Sequence, residues 1–389
     1  MGAPLDGIRV VDMSRVMAGP FASLMLADLG ADVVKVEAKG MGDVMRYMGG
    51  HQRGGMNAIF LGLNRGKRSV SVDLSAETGR RMVRHLVAGA DVFLENFRPG
   101  VCASMGLGAD DLRAVDPELI YVSISGYGPD SPAAGEPAYD TMVQGRSGMV
   151  ARQKRGHRGQ PDLVRSFLVD KVSAFFAVQG ILAALFVRQR GEGGQAISVP
   201  MLDAALYYLW PDSMTDLAFV GEGVTAGTLF PLAISLTETA DGHLTHLALS
   251  DKERAGVNRA VGRSDLNEDA RFATTASVNT SENLREYQEA ISEAFLALST
   301  EVALQRLRAE GVPCSAVVEP AGILDDEHVV ATGVLQEWDH PRAGRVRQPR
   351  FPVHLDRTPA CTRTGAPELG QHNDEVLEEI GLTNRGNDV

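Results

Sequence analysis

Asp170 interrupts an apolar stretch that reads SFLVDKVSAFFA over residues 166–177. The residues that follow, 172–190, are rich in Ala, Leu and Phe, contain no Pro and end in arginine before Gly191, which predicts a buried helix. At the start of such a helix an aspartate can accept hydrogen bonds from free backbone N–H groups, so the local pattern favours a structural N-cap. An aspartate is also a candidate nucleophile. The neighbouring residues alone leave both interpretations open, with the cap favoured.

The first strand–helix–strand segment raises the question of dinucleotide binding. Its first turn, DMSRVMAGPFAS, contains one glycine, Gly19, where a dinucleotide fingerprint needs three. Glu37 ends the second strand at the distance of a ribose-binding acid, but an acid is common there. The chain contains no P-loop motif and no GxSxG nucleophile elbow. NAD binding is therefore disfavoured.

Histidine and cysteine spacing gives no metal site. His243 and His246 are three positions apart on a predicted strand, so they point to opposite faces and make poor joint ligands. Cys102, Cys314 and Cys361 are far apart, which predicts free thiols in a reducing compartment. The apolar flanks of Cys314 favour a buried small residue over a nucleophile.

Length and charge limit the class of protein. A chain of 389 residues predicts two domains, and a formal net charge of −12 argues against a nucleic-acid or membrane partner. The amino terminus lacks the pattern of a signal peptide. The apolar helix predicted over 172–187 is too short for a membrane span. We expect a cytoplasmic protein.

Strands alternate with helices through the first half of the chain, which predicts a parallel sheet covered on both faces. After about residue 205 the pattern changes to a β-like stretch, a polar run and a long amphipathic helix pair over 281–310, which predicts a smaller α+β domain. The predicted strands are 8–13, 31–37, 69–74, 90–96, 119–128, 242–250 and 346–355, and the other predicted helices are 17–30, 76–88, 109–115 and 366–382.

Several stretches together resemble the family III CoA-transferases, which include formyl-CoA:oxalate and carnitine CoA-transferases and the 2-methylacyl-CoA racemases. The resemblance covers nearly the whole chain. The matching stretches are PLDGIRVVDMSRVMAGPFAS, LADLGADVVKVE, LNRGKRSVSVDL, DVFLENFRPG, SISGYGPD, ILAALFVRQRGEGGQAISVPMLDA, TADGHL, GVPCSAV and ELGQHNDEVLEEIGL.

This resemblance implies an α/β fold with a large Rossmann-like domain built from both termini and a smaller α+β domain. It also implies an obligate homodimer in which two ring-shaped protomers interlock. The expected segments are the first part of the large CoA-binding domain over 1–205, a linker over 206–225, the small domain over 226–325, and a second linker with the return to the large domain over 326–389.

The resemblance also implies a role for Asp170, which occupies the place of the family's catalytic aspartate. Ionised at neutral pH, its carboxylate would attack an acyl-CoA thioester and form an aspartyl anhydride, then an aspartyl-CoA thioester. Backbone N–H groups at the helix start would stabilise the oxyanions. The partners implied are an acyl-CoA and a carboxylic acid, with CoA as substrate rather than as a tightly bound cofactor.

The CoA-binding positions carried over by the resemblance lie in four short segments. They depart from the formyl-CoA transferases at Met17, Ala38, Ser104 and Pro137, where those enzymes have Gln, Arg, Arg and a basic residue. Lys39, Lys67 or Arg68 are the candidates to supply the missing phosphate contacts. The positions carried over are Met17, Ala18, Leu63, Asn64, Arg65, Gly66, Asn96, Phe97, Arg98, Ala138, Tyr139 and Asp140.

Two further departures concern the reaction. The family's racemases need a histidine beside the aspartate for α-proton transfer, and Tyr139 stands in its place, which favours transfer over epimerisation. A racemase stays the alternative. The glycine-rich loop of the formyl-CoA transferases is replaced by GEGVTAGTLFP over 221–231, which disfavours oxalate and formate. Met17, Leu229 and Phe230 point to a less polar acid.

Overall fold

The structure, a computed structural model, describes residues 2–153, 160–225, 234, 236–278, 280–360 and 362–382. The chain divides into two compact units. The first unit contains residues 1–208 and 333–389, and the second contains residues 209–332.

Some strands are long, and others contain only two residues. They are β1 (Arg9–Asp12), β2 (Asp32–Ala38), β3 (Gln52–Arg53), β4 (Met56–Asn57), β5 (Lys67–Val72), β6 (Val92–Glu95), β7 (Ile120–Ser125), β8 (Ala196–Pro200), β9 (Thr237–Glu238), β10 (His243–His246), β11 (Cys314–Ala316), β12 (Leu335–His340) and β13 (Gly344–Pro349).

The helices lie between these strands. They are α1 (Ala18–Asp28), α2 (Ala58–Asn64), α3 (Glu77–Val87), α4 (Val101–Ser104), α5 (Ala109–Val115), α6 (Asp140–Arg146), α7 (Met149–Arg152), α8 (Leu168–Gln189), α9 (Met201–Ser213), α10 (Asp251–Ala260), α11 (Thr275–Val278), α12 (Ser281–Leu296), α13 (Thr300–Ala309), α14 (Glu327–Thr332) and α15 (Asn373–Glu379). Single 3₁₀ turns occur at Val44–Arg46, Thr215–Leu217, Ser264–Asn267 and Pro320–Asp325.

A parallel sheet organises the first unit. Its strands are arranged β5-β2-β1-β6-β7-β8, and all five neighbouring pairs are parallel. Numbered along the chain within the sheet, this is the order 3-2-1-4-5-6 of a Rossmann fold. The order reverses between β1 and β6, so the carboxyl ends of these two strands border the crevice where such sheets bind ligands.

The carboxyl-terminal helix α15 packs on this sheet. Its Val376 and Leu377 are buried in the same core as Val70 and Val72 of β5. Ser71 donates its backbone N–H to the Asn373 side chain over 2.8 Å. Residues from both ends of the chain therefore build the core of the first unit.

Helix α8 is longer than the sequence predicts, because it begins at Leu168 rather than near Val172. Its 22 residues are long and apolar enough to cross a bilayer by composition alone, so the expectation that the helix is too short was wrong. Half of its most apolar stretch is buried, and it packs against α1, β7 and β8. This is the packing of a core helix.

The second unit has its own core. An antiparallel sheet in the order β11-β10-β9 packs beside helices α10 to α13. Leu244, Val257, Phe295 and Leu307 are buried together there. The predicted helix pair over 281–310 is seen as α12 and α13, separated by a short turn.

A buried charge pair lies under α1 in the first unit. Asp12, at the end of β1, accepts hydrogen bonds from the Lys67 ammonium over 3.2 Å and from the Ser23 hydroxyl over 2.5 Å. Lys67 also donates to the Asn64 side chain and to the Pro20 carbonyl. Burial acts to raise the pKa of Asp12, but Lys67, Lys35 and the hydroxyl donors outweigh it and lower that pKa to about 2.

Removing one partner of this pair should be costly. We expect Lys67→Met to lower the free energy of unfolding by about 3–5 kcal/mol, because the Asp12 carboxylate would stay buried without its cation. Urea unfolding at pH 7 measures the change, and Lys252→Met, at an exposed position of α10, is the control. A loss below about 1 kcal/mol would show that water or another donor replaces the ammonium.

Candidate active site

Two loops meet at the point where the strand order reverses. The side chain of Asn96, just after β6, accepts a hydrogen bond from the Arg15 N–H over 2.8 Å and donates to the Arg15 carbonyl over 2.7 Å. Arg15 lies in the turn between β1 and α1. The predicted segments Met17–Ala18 and Asn96–Arg98 are therefore neighbours at the carboxyl edge of the sheet.

The β1–α1 turn contains a strained residue and is fixed by hydrogen bonds and a buried ion pair. Val16 has φ 69°, and it is the non-glycine residue with positive φ among the residues that the structure describes. A β-branched residue in this conformation costs about 1–3 kcal/mol. Its N–H donates to Asp43 over 3.2 Å, Asp43 pairs with Lys35 at 3.0 Å, and Lys35 donates to the Ser14 carbonyl over 2.9 Å. The turn therefore has a defined shape.

Helices α1 and α8 bring this turn near Asp170. The rings of Phe21 and Phe175 meet edge to face with centroids 5.8 Å apart. At about 1.5 Å per residue, Ala18 lies roughly one turn before Phe21, and Asp170 lies somewhat more than one turn before Phe175. Ala18 and Asp170 therefore each lie within two helical turns of the Phe21–Phe175 contact.

Asp170 is the third residue of α8, and Phe167 occupies the N-cap position without a capping side chain. The cap comes from another helix. The carboxylate of Asp140, at the start of α6, accepts the N–H groups of Val169 over 2.7 Å and Asp170 over 3.1 Å. Its other oxygen accepts from Gln144 over 2.5 Å. The interpretation of Asp170 as the N-cap of α8 was wrong, because the free N–H groups at the start of this helix donate to the Asp140 carboxylate and not to that of Asp170.

Asp170 is 8 % exposed as a residue, and its carboxylate accepts no hydrogen bond within the described parts of the chain. Burial raises its pKa, the nearby Asp140 charge raises it further, and Lys171 opposes the shift, so the pKa of Asp170 is about 7. The ionised carboxylate expected as the nucleophile is therefore one of two protonation states of Asp170 near neutral pH. A weakly solvated carboxylate without hydrogen-bond donors is a stronger nucleophile than one that is held by them.

The first amides of α8 do not form an oxyanion site. Leu168 donates to the Ser166 carbonyl over 2.6 Å, Lys171 donates to the Phe167 carbonyl over 3.3 Å, and the two amides between them donate to Asp140. The expectation that these groups stabilise oxyanions was therefore wrong.

The segment Ala138–Asp140 lies over the carboxyl end of β7. A Cβ at Gly126, which follows β7, would collide with the Cβ of Ala138, so the two chains touch there. Tyr139 is 62 % exposed, whereas Asp140 is buried. The segment therefore joins the same edge as the turns after β1 and β6, although the Asp140 carboxylate is already occupied by α8.

The segment Leu63–Gly66 is not brought to this edge. It ends α2 and leads into β5, whose first residue, Lys67, pairs with Val33 near the start of β2. Arg65 is buried and binds both oxygens of Asp28, over 3.0 and 2.6 Å. The opposite end of β5, and with it Val72–Ser75, lies at the carboxyl edge.

Two of the basic residues considered for phosphate binding are already neutralised. Lys67 is fully buried against Asp12. Arg68 pairs with Asp32 at 2.6 Å, Glu375 at 2.9 Å and Glu379 at 2.6 Å. The expectation for these two residues was wrong, and Lys39 is the exposed candidate of the three.

Sequence reasoning missed Arg15 and the capping role of Asp140. Arg15 is the cation of the first loop, SRVMAGP, and its position after the first strand of a βαβ unit was a usable signal. No local signal links Asp140 to residues 169 and 170. Residues 226–231, including the predicted Leu229 and Phe230, lie outside the described residues.

Metal binding finds no support in the described ranges. No cluster of three or more His, Cys, Asp or Glu side chains there could hold an ion. Cys102 and Cys314 are free thiols, and burial raises the pKa of both.

Known proteins are similar to this chain in fold and in sequence. The model of CoA-transferase family III matches residues 5–373. A succinate–glutarate CoA-transferase of Agrobacterium fabrum is 32% identical over 98% of this chain and 97% of its own length. A succinyl-CoA:mesaconate CoA-transferase of Haloarcula hispanica is 33% identical over 99% of both chains. The crystal structure of a CaiB/BaiF family protein from Brucella suis superposes with a TM-score of 0.83 at 30% identity, over 98% of this chain and 100% of that one.

The fold and the site define an α/β enzyme with a buried carboxylate near the ligand-binding edge of a Rossmann-ordered sheet. The chain belongs to CoA-transferase family III. Its relatives are transferases that use CoA thioesters as substrates.

The raised pKa of Asp170 makes it a source of instability above neutral pH. In the unfolded chain the group ionises near pH 4, whereas in the folded chain it holds its proton until about pH 7. The folded state therefore binds more protons in this window and loses stability as the pH rises through it. We expect Asp170→Asn to stabilise the protein relative to wild type by about 2–4 kcal/mol more at pH 8 than at pH 4.

Urea unfolding of both proteins at the two pH values measures this difference. Asp110→Asn, at an exposed position of α5, is the control and should show no such dependence. An equal effect of Asp170→Asn at both pH values would mean that the Asp170 pKa is not raised in the folded state.

Asp140 should tune the acidity of Asp170. Because the Asp140 charge raises the pKa of Asp170, Asp140→Asn should move the acid limb of the pH–kcat/KM profile to lower pH. Glu136→Gln, which removes an exposed carboxylate paired with Arg146, is the matched control. An unmoved acid limb would show that the two carboxylates do not interact.

Proposed function

We propose that this enzyme moves CoA from an acyl-CoA thioester to a carboxylic acid, with Asp170 as the nucleophile. The observation that carries the proposal is the buried Asp170 carboxylate, which accepts no hydrogen bond from the residues that the structure describes and stands at the start of α8 beside the ligand-binding edge. Membership of CoA-transferase family III supports the same reaction class.

In the proposed first half-reaction, an oxygen of Asp170 attacks the thioester carbonyl carbon, and the C–S bond breaks to release CoA thiolate. The thiolate then attacks the Asp170 carbonyl of the mixed anhydride. This step releases the donor acid and leaves an aspartyl-CoA thioester. The acceptor carboxylate attacks that thioester to form a second anhydride, and the thiolate takes the acceptor acyl group. Atoms and charges balance without water, metal or redox partner.

The position of Asp170 suits this cycle because the carboxylate passes through three covalent intermediates before it is restored. Asp140 holds the backbone at residues 169 and 170, so the attacking oxygen keeps one position through the cycle. The raised pKa makes Asp170 a more basic nucleophile than an ordinary aspartate at the same pH.

Epimerisation receives less support from the site. It requires a second acid or base opposite Asp170, and the residue at the place of the racemase histidine is Tyr139. This residue is exposed, and its hydroxyl forms no hydrogen bond within the described ranges.

For substrates we propose succinyl-CoA as donor and a dicarboxylic acid of four or five carbons as acceptor. The support comes from relatives named for succinate, glutarate and mesaconate, which each match this chain over almost its whole length. The binding edge carries Arg15, Arg98 and Lys39 as exposed cations, which suits anionic substrates.

We further propose that two copies form the interlocked homodimer of the family, in the cytoplasm. Support comes from an apolar face on α8, where Phe175, Leu182 and Phe186 are exposed, with the exposed Tyr207 packed against Phe176. A second copy would remove this apolar surface from water. The free thiols of Cys102 and Cys314 agree with a reducing compartment.

Intact-protein mass spectrometry after incubation with succinyl-CoA tests the mechanism. We expect a hydroxylamine-sensitive adduct that maps to Asp170, and succinyl-CoA-dependent formation of glutaryl-CoA from glutarate. Asp170→Asn should abolish the adduct and lower transfer about a thousandfold or more, while CoA binding is retained.

Asp162→Asn, which removes a partly exposed carboxylate paired with Arg165 in the same region, is the control and should leave both signals in place. Turnover by Asp170→Asn at the wild-type rate would reject the nucleophile. Exchange of the α-proton of a 2-methylacyl-CoA in deuterium oxide, without any adduct, would favour the racemase.

A further inference from the structure

Arg15 presents an unneutralised cation at the crevice. Its side chain is exposed, and the guanidinium carbon lies 5.0 Å from the centre of the Phe97 ring. It forms no ion pair and no side-chain hydrogen bond within the described parts of the chain. In a protein with 50 acidic and 38 basic residues, an arginine without a carboxylate partner is available for an external anion.

Other arginines of the first unit contrast with Arg15. Arg9 pairs with Asp32 at 3.1 Å, and Arg46 pairs with Glu37 at 2.7 Å. These guanidiniums are committed to the fold. The charge on Arg15 has no such structural use.

The backbone of Arg15 is fixed by hydrogen bonds, although its guanidinium forms none within the described residues. Both its N–H and its carbonyl are bonded to the Asn96 side chain. On one side, Ser14 is held by Lys35, and on the other, the strained Val16 is held by Asp43. A pre-ordered cation loses less entropy on binding an anion than a flexible one does.

A second exposed cation lies next to Phe97 in the chain. Arg98 follows Phe97, is exposed and forms no ion pair in the described ranges. The carboxylate at the end of β6, Glu95, is buried and accepts the Phe97 N–H over 2.7 Å, so it neutralises neither arginine. Arg15, beside the Phe97 ring, and the exposed Arg98, which follows Phe97 in the chain, therefore both lie at the carboxyl edge of the sheet without a carboxylate partner in the described ranges.

We propose that Arg15 binds a phosphate group of the acyl-CoA substrate, with its guanidinium steered by Phe97. Guanidinium groups form short, charge-assisted and often bidentate hydrogen bonds to phosphate, and stacking on an aromatic ring fixes the plane of the fork. The inference rests on the proposed CoA-transferase function and adds a binding residue to it. Arg15 takes part in substrate binding and not in the covalent steps at Asp170.

Isothermal titration of CoA into wild type, Arg15→Gln and Arg15→Lys tests the contact. We expect Arg15→Gln to weaken CoA about tenfold, and Arg15→Lys to weaken it less because it keeps the charge but loses the fork. Arg285→Gln, which removes an exposed charge from α12 in the second unit, is the matched control and should stay within twofold of wild type.

Titration of dephospho-CoA identifies the phosphate. An undiminished affinity of Arg15→Gln for dephospho-CoA would place the contact at the 3′-phosphate. An equal tenfold loss with both ligands would place it at the pyrophosphate. Both results support the proposal.

Succinyl-pantetheine, which lacks the nucleotide and all three phosphates of CoA, separates a direct contact from a general effect on the turn. We expect its kcat/KM to be the same for wild type and Arg15→Gln. A comparable loss with this truncated substrate would overturn the proposal, because Arg15 would then act through the turn alone. CoA affinity of Arg15→Gln within twofold of wild type would also overturn it.

These results are distinguishable from failure of the proposed function. If wild type binds CoA but transfers it to no acid, the transfer reaction fails, while the Arg15 contact is still measured by titration. If wild type does not bind CoA, both proposals are rejected.

Discussion

The buried charges at the carboxyl ends of β1 and β2 are the constraint on which the site depends. Asp12 and Asp43 neutralise Lys67 and Lys35 in a region closed to water, where an unpaired charge would cost several kcal/mol. Because these pairs also bond the chain at Ser14, Val16 and Pro20, they set the path from the first strand into α1. The strain at Val16 persists because its neighbours are fixed from several directions.

The second organising contact is the cap that Asp140 provides for α8. A carboxylate at a helix amino terminus is favourable both as an acceptor and as a charge facing the helix dipole. Here the cap comes from a residue 30 positions earlier, so it also ties α6 to α8. The side chain of Asp170 is therefore not needed to cap the helix. Its carboxylate is left poorly solvated beside another acid, which accounts for its raised pKa.

The two constraints act on different parts of one proposed substrate. The pinned turn after β1 carries Arg15 beside Phe97, and the capped start of α8 carries Asp170. The edge-to-face contact of Phe21 and Phe175 joins the helices that carry them. A long thioester has a charged nucleotide at one end and a reactive carbonyl at the other, and a site of this kind needs a cation and a nucleophile held apart on rigid elements.

The sequence by itself determined five of the six strands of the parallel sheet, because hydrophobic periodicity is a local signal, and its ordered motifs indicated the family; it missed β8. It misplaced the start of α8 and the role of Asp170 as a cap, since the true cap, Asp140, is 30 residues away. Only the tertiary structure separated Lys67, which is buried against Asp12, from Arg15, which is exposed and forms no ion pair with any residue that the structure describes. Both are basic residues near strand ends, and their availability depends on which carboxylates the fold brings beside them.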